Sequence, residues 1–213
     1  MTEIAMNLDE QVREALRGKI IAGELAGGFH LSELKISKEY NVSRTPVREA
    51  LCALAADGLI EMVPHRGAFV TEIPVDIRAD QIHTYTLFMA LIARQTSENG
   101  NIELLLDLET ASQSLSDAAE QDNGVFLEAL SNVNAMLRQA ANSPTLHDAL
   151  TMVERRTDTN RVWEQAITRK KEVAEHYTKL VKAIKQHETN EAEVVMRAIM
   201  ELVAEPILST LKA

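Results

Sequence analysis

The first part of the chain repeats apolar positions with the period of a helix. Val12, Leu16 and Ile20 share one helical face, and the pattern ends at Gly23. A shorter second helix is expected to begin after Ser32, a preferred N-cap residue, and to end at Tyr40. The spacing therefore predicts two helices, joined by a glycine-rich turn.

A third helix is predicted from Arg44 to Ala56. Ser43 is a preferred residue for its N-cap, and Pro46 lies in its first turn, where a missing N–H costs no helical hydrogen bond. Ser43 and Pro46, three residues apart, thus mark the start of a helix, and Gly58 follows its end.

The predicted third helix has two distinct faces. Arg44, Thr45 and Arg48 fall beside the apolar stripe and not within it, so we expect them to point outward. The stripe itself is formed by Val47, Ala50, Leu51 and Leu54.

Two strand-like runs follow this helix. They cover residues 59–63 and 68–73, and the turn between them has the sequence Pro64-His65-Arg66-Gly67. Three helices followed by such a hairpin predict a winged helix-turn-helix. In that fold the third helix enters the major groove of DNA, and the hairpin contacts the backbone or the minor groove.

The remaining residues contain few turn formers, which predicts long helices. We place the domain boundary at Ile73-Pro74, giving a DNA-binding domain at 1–73 and a helical effector-binding and dimerisation domain at 74–213. The fold class is therefore mainly α, with a winged helix-turn-helix ahead of an all-α bundle of about six helices. The predicted helices cover residues 76–98, 102–120, 124–141, 144–165, 168–187 and 191–211.

Composition excludes several classes of protein. One cysteine among 213 residues cannot form an internal disulfide, so a disulfide-stapled secreted scaffold is excluded. The N-terminus lacks the pattern of a signal peptide, and no apolar run is long enough to span a membrane, so we expect a cytoplasmic protein with no membrane partner. The formal net charge of −10 argues against loose adhesion to nucleic acid, which leaves DNA binding to individually placed side chains.

The outward face of the third helix carries side chains that suit DNA. Arginine contacts a guanine edge or clamps phosphate, and the Ser43 and Thr45 hydroxyls bond phosphate oxygens. The alternative is that Arg44 and Arg48 are ordinary solvated surface arginines.

The residues of the whole first segment resemble one family. Leu31-Ser32-Glu33, the run Ser43-Arg44-Thr45-Pro46-Val47-Arg48-Glu49-Ala50-Leu51, and the turn at Pro64 to Gly67 closely resemble the DNA-binding domain of the GntR family of bacterial transcriptional regulators. The resemblance covers residues 8–73. It implies that Arg44, Thr45 and Arg48 belong to the DNA-reading helix, and that His65, Arg66 and Gly67 form the wing tip. Ser43 is a further candidate DNA contact because of its hydroxyl.

The helical half is similar to the FCD branch of that family. This resemblance implies a homodimer whose bundle binds a small effector, often an organic acid, and frequently a divalent metal held by an aspartate and three histidines. The metal ligands do not carry over to this sequence, because Leu130, Asn134 and Ile199 occupy three of the matching positions and only His176 is retained. We therefore expect no tightly bound metal and no cofactor.

Three residues of the bundle are candidates for effector binding. Asn134, Arg138 and His176 would line a pocket for an anionic or polar molecule. The alternative, which the sequence leaves equally open, is that His176 is a hydrogen-bonded bundle residue and side chains fill the pocket.

We find no arrangement of catalytic residues and expect no enzymatic activity. The sequence has no glycine-rich phosphate loop, no Gly-x-Ser-x-Gly elbow and no His-Glu-x-x-His motif. The predicted function is that of a DNA-binding repressor on a near-palindromic operator, with a small molecule modulating its affinity. The alternative is a helical ligand-binding or scaffold protein with a vestigial DNA-binding head.

Overall fold

The computed structural model describes residues 7–72, 75–157 and 159–212. It contains two compact units, one comprising Met1–Ile77 with Arg155–Asp158 and the other Arg78–Glu154 with Thr159–Ala213. The boundary that the sequence predicts, at residues 73 and 74, lies outside the described residues. None of the helices described is both long and apolar enough to cross a membrane.

The first unit is a small helical domain with an antiparallel sheet. Its helices are α1 (Leu8–Ile21), α2 (Glu33–Glu39) and α3 (Arg44–Ala56), and its strands are β1 (His30–Leu31), β2 (Ile60–Val63) and β3 (Gly67–Val70). The winged helix-turn-helix prediction is thus confirmed. The predicted hairpin is β2–β3, and β1 adds a third strand on the other side of β3, in the order β1-β3-β2. A two-residue strand has too little sequence to show an alternating pattern, so it was not predicted.

The core of the first unit orients its third helix. The predicted stripe on α3 is buried, from Val47 to Leu54, and it packs with Val12 and Leu16 of α1 and with Ile60 and Val70 of the sheet. Burying apolar side chains on one face leaves the opposite face of α3 in solvent. The packing therefore fixes which α3 residues are available to a ligand.

The second unit is all helical, as predicted. Its helices are α4 (Val75–Asn99), α5 (Ile102–Ala118), α6 (Asn123–Ala141), α7 (Pro144–Glu154), α8 (Thr159–Glu164), α9 (Lys170–Lys185) and α10 (Thr189–Lys212), with a 3-10 helix at Gln165–Arg169 before α9. Large side chains such as Phe126 and Leu130 fill its core together with Tyr85 and Tyr177.

The single helix predicted at 144–165 is wrong, because α7 ends at Glu154 and α8 begins at Thr159. Glu154, Arg155 and Arg156 follow Val153, the last buried apolar residue of α7, and all three are charged, so the sequence there offers no apolar face on which to continue the helix. The break at Asn142-Ser143-Pro144, by contrast, lies where it was predicted: Asn142 ends α6 in the left-handed conformation and Pro144 begins α7.

Candidate functional site

The N-terminal end of α3 presents a polar face to solvent. Ser43 occupies the N-cap position with an extended backbone, and its hydroxyl makes no capping hydrogen bond. Ser43, Arg44, Thr45 and Arg48 are all exposed. Free backbone N–H groups at a helix N-terminus favour an anion, and two arginines one turn apart add positive charge beside them. This face suits the phosphates and base edges of DNA.

Arg48 is held by a carboxylate from the preceding helix. Its Nε donates to Glu33 Oε1 at 3.0 Å and its Nη2 donates to Glu33 Oε2 at 3.1 Å. The bond from Arg48 lowers the pKa of the Glu33 carboxyl, and the same bond raises the pKa of Arg48. The pair is thus a bidentate ion pair between α2 and α3, which was not predicted from the sequence.

The wing tip connects β2 to β3 and is exposed. His65, Arg66 and Gly67 all lie in solvent, with His65 and Gly67 at positive φ, 61° and 99° respectively. The Arg66 guanidinium lies over the Phe69 ring, 5.6 Å from its centroid, and that ring packs against His30 with centroids 4.9 Å apart. The stack orients the cation of the wing tip.

In the second unit, polar side chains meet inside the bundle. Asn134 on α6 is 5% exposed, and its Oδ1 accepts a hydrogen bond from the hydroxyl of Tyr177 on α9 at 2.7 Å. Tyr177 is fully buried, and burial raises the pKa of its hydroxyl far above the ordinary range. The bond therefore joins two neutral groups in the core of the bundle.

Arg138 lies one turn after Asn134 and is part of a second polar group. Its Nη2 is 2.5 Å from Glu154 Oε1 and 3.5 Å from the Tyr85 hydroxyl, which also accepts from Trp163 Nε1 at 2.8 Å. Burial raises the pKa of Tyr85 to about 12. The Nε of Arg138 is buried without a hydrogen-bond partner. Among the residues that the structure describes, none accepts a hydrogen bond from this donor of Arg138.

His176 lies apart from these contacts. It is half-buried, and its Nδ1 is 2.8 Å from the backbone carbonyl oxygen of Glu172 on its own helix. No hydrogen bond links it to Asn134 or Arg138 among the residues described. The neighbouring Tyr177 fills the inward position instead, and the buried spacing Val173, Tyr177, Leu180, Ile184 is a sequence signal that identifies it. Tyr85 is far along the chain from Glu154 and Trp163, so no local sequence pattern identifies these three residues as neighbours of Arg138 or of one another.

The positions that the resemblance aligns with metal ligands do not fit a divalent ion. Leu130 and Ile199 are buried alkyl side chains, and the Asn134 amide oxygen already accepts from Tyr177. A divalent centre needs several charged or imidazole ligands that converge. Within the described part of the chain, no three His, Cys, Asp or Glu side chains form a group that could hold a metal.

Both units of this chain are similar in sequence to known proteins. The model of the gntR family of bacterial regulatory proteins matches residues 8–70, and that of the FCD domain matches residues 87–202. The HTH-type transcriptional repressor RspR of Escherichia coli is 44% identical over 66 residues, which cover 31% of this chain but only 29% of RspR. An uncharacterized HTH-type transcriptional regulator of Mycobacterium tuberculosis is 23% identical over 95% of this chain and 82% of its own length.

Solved structures share the fold of the whole chain. McbR/YncC of E. coli superposes with a TM-score of 0.72 at 19% identity, covering 98% of this chain and all of that one. Lar of Listeria monocytogenes superposes with a TM-score of 0.64 at 20% identity, covering 95% and 97% of the two chains. The winged head and the helical bundle therefore occur together in other proteins.

Proposed function

This chain belongs to the GntR family of bacterial regulatory proteins, and we propose on that premise that it represses transcription by binding an operator that a small molecule controls. Its first unit is the family's winged helix-turn-helix, and its second contains the FCD domain. The alternative of a scaffold with a vestigial head is not favoured, because the relative similar over 95% of the chain is a transcriptional regulator.

DNA binding is assigned to the exposed face of α3 together with the wing tip. Arg44 and Arg48 supply the base-reading and phosphate-binding guanidinium groups, and the Ser43 and Thr45 hydroxyls bond phosphate oxygens. His65, Arg66 and Gly67 contact the backbone or the minor groove. The observation that carries the proposal is that the buried stripe of α3 leaves Ser43, Arg44, Thr45 and Arg48 together in solvent.

The effector is assigned to the second unit, close to Asn134 and Arg138. The unpartnered Nε of Arg138 offers a donor to a carboxylate, which supports an organic acid or a similar anion as the effector. Glu154 engages Nη2 of the same guanidinium, so an anion on Nε binds a donor that this carboxylate does not use. His176 remains a candidate ligand from the sequence, although its Nδ1 faces its own helix.

The assembly that fits this function is a homodimer in the cytoplasm. Two winged heads related by a twofold axis match the two halves of a near-palindromic operator. An effector that changes the relation between the heads in such a dimer weakens operator binding, which is a coupling between two sites. We further propose that the protein holds no tightly bound metal, since alkyl side chains occupy two ligand positions.

Selection of random duplex DNA by the purified protein tests this proposal. The experiment is run at near-physiological salt without added effector, because the electrostatic part of DNA binding depends on salt. We expect enrichment of a site with twofold symmetry. Failure to enrich any sequence, with and without a panel of organic acids, would contradict a sequence-specific regulator.

A further inference from the structure

The contact between Glu33 and Arg48 bears on how the protein discriminates between bases. Both residues lie in the first unit, and both carboxylate oxygens of Glu33 engage the guanidinium. The Arg48 side chain is nevertheless 68% exposed, against 27% for Glu33. The carboxylate therefore restrains the guanidinium of Arg48 without covering it.

The geometry leaves one particular edge of the guanidinium free. An arginine has five N–H donors, and Glu33 occupies Nε–H and one N–H of Nη2. The two donors on Nη1 and the second donor on Nη2 remain. These include the end-on pair, one N–H from each terminal nitrogen, which matches the O6 and N7 acceptors of guanine.

We propose that Glu33 is a positioning residue that orients Arg48 to read guanine in each half-site of the operator. This rests on the proposed function of α3 as the DNA-reading helix. An unrestrained arginine has several rotatable bonds and reaches phosphate as easily as a base, whereas a restrained one loses less freedom when it binds. Glu33 thus converts a general phosphate contact into a base-specific one.

Electrostatics alone predicts the opposite effect of removing Glu33. A carboxylate beside DNA repels the phosphates, so its loss on charge grounds strengthens binding to every sequence. Loss of a positioning residue instead weakens the preference for guanine while affinity for unrelated DNA rises. The two explanations therefore predict opposite signs for the change in affinity for the operator.

The test compares four single variants and the double variant Glu33→Gln/Arg48→Ala, all of the full chain, with the wild type. Glu33→Gln removes the negative charge and one of the two acceptor oxygens, and Glu33→Asp keeps the charge but shortens the side chain by one methylene group. Glu39→Gln is the matched control, because Glu39 lies in the same helix and pairs with Lys19 at 2.6 Å. Arg48→Ala removes the proposed reader. Each protein is used to select random duplexes, and its affinity is measured for the selected operator and for a scrambled duplex.

We expect Glu33→Gln and Glu33→Asp to reduce the preference for guanine at one position per half-site by about fivefold or more. Glu39→Gln should keep the wild-type preference, and adding Glu33→Gln to Arg48→Ala should change nothing further at that position. Circular dichroism of each variant confirms that it is folded.

Three results would overturn the inference: an unchanged guanine preference in both Glu33 variants, tighter operator binding by both Glu33→Gln and Glu39→Gln, or a guanine preference that survives Arg48→Ala. If the wild type itself selects no sequence, the proposed function fails and the inference fails with it. If the wild type selects an operator and the Glu33 variants match it, only the inference fails.

Discussion

Gly67 shows how a single residue shapes the wing tip. Its φ of 99° lies in a region that side-chain-bearing residues rarely adopt, and a Cβ added there would be 2.8 Å from His30 Nε2. The backbone conformation therefore favours glycine at this position, and a Cβ would in addition displace the exposed His30 side chain. His65, two residues earlier, takes a positive φ without being glycine.

Gly67→Ala is expected to destabilise the first unit by about 1–2 kcal/mol, because the new methyl group is strained at this φ and displaces the His30 ring. Gly18→Ala is the control: Gly18 lies inside α1 with no atom within 4 Å of the added Cβ, so it should stabilise the helix by about 1 kcal/mol. Chemical denaturation measures the free energy of unfolding of both variants. Equal changes in stability would contradict the strain at Gly67.

At the scale of elements, hydrogen bonds between buried side chains connect helices of the bundle. Tyr177 joins α9 to α6 through Asn134, and the Tyr85 hydroxyl on α4 accepts from Trp163 on α8. A buried polar group costs about 1–3 kcal/mol when its partner is removed. These bonds therefore determine the arrangement in which the helices pack and also contribute to the stability of the bundle.

The buried tyrosines make the bundle sensitive to alkaline pH. Tyr85 has an ordinary pKa of 10.0 and a folded-state pKa of about 12, so the unfolded chain loses its proton first as pH rises. Stability is unaffected below pH 10 and falls between pH 10 and 12, by roughly 2–3 kcal/mol for this group. Urea unfolding at a series of pH values measures the decline.

Tyr85→Phe should reduce that alkaline decline, although Trp163 loses its acceptor and the variant is less stable at neutral pH. Tyr177 contributes in the same direction, since burial raises its pKa too, so the double Tyr85→Phe/Tyr177→Phe variant should show the smallest decline. The same pH dependence in the wild type and the double variant would show that these hydroxyls do not titrate with unfolding.

The elements differ in how far the sequence predicts them. The stripe on α3 and the turn at Pro64 to Gly67 are local patterns, so the winged head was predicted in outline. The short strand β1 was not, because it depends on pairing with β3, and neither was the end of α7 at Glu154, which no glycine or proline marks. Site residues follow the same rule. Arg44 and Arg48 belong to one motif, whereas Tyr85 and Trp163 meet only through folding.

The metal content of the whole protein is expected to be low. Buried Leu130 and Ile199 stand at two positions that the family resemblance aligns with metal ligands, so we expect the protein as purified to contain much less than one divalent ion per chain. Treatment with a chelator should leave its melting temperature unchanged. One equivalent of a tightly held ion by elemental analysis, together with a lower melting temperature after chelation, would refute this.

Because the net charge is −10, we expect DNA binding to depend on the individually placed arginines that we propose as contacts. A protein with a strongly basic surface binds any duplex, whereas this one depends on individual contacts. Removal of those contacts should abolish discrimination between sequences and leave the fold intact, because Arg44 and Arg48 are both exposed.

Sequence-specific DNA binding by α3 is tested by the ratio of affinities for the selected operator and a scrambled duplex, measured for the wild type and for Arg44→Ala/Arg48→Ala at one salt concentration. We predict that each arginine contributes about 1–3 kcal/mol to operator binding, so the ratio in the double variant falls toward one while its unfolding is unchanged. A folded double variant that keeps the wild-type ratio would contradict the assignment of α3 as the DNA-reading helix.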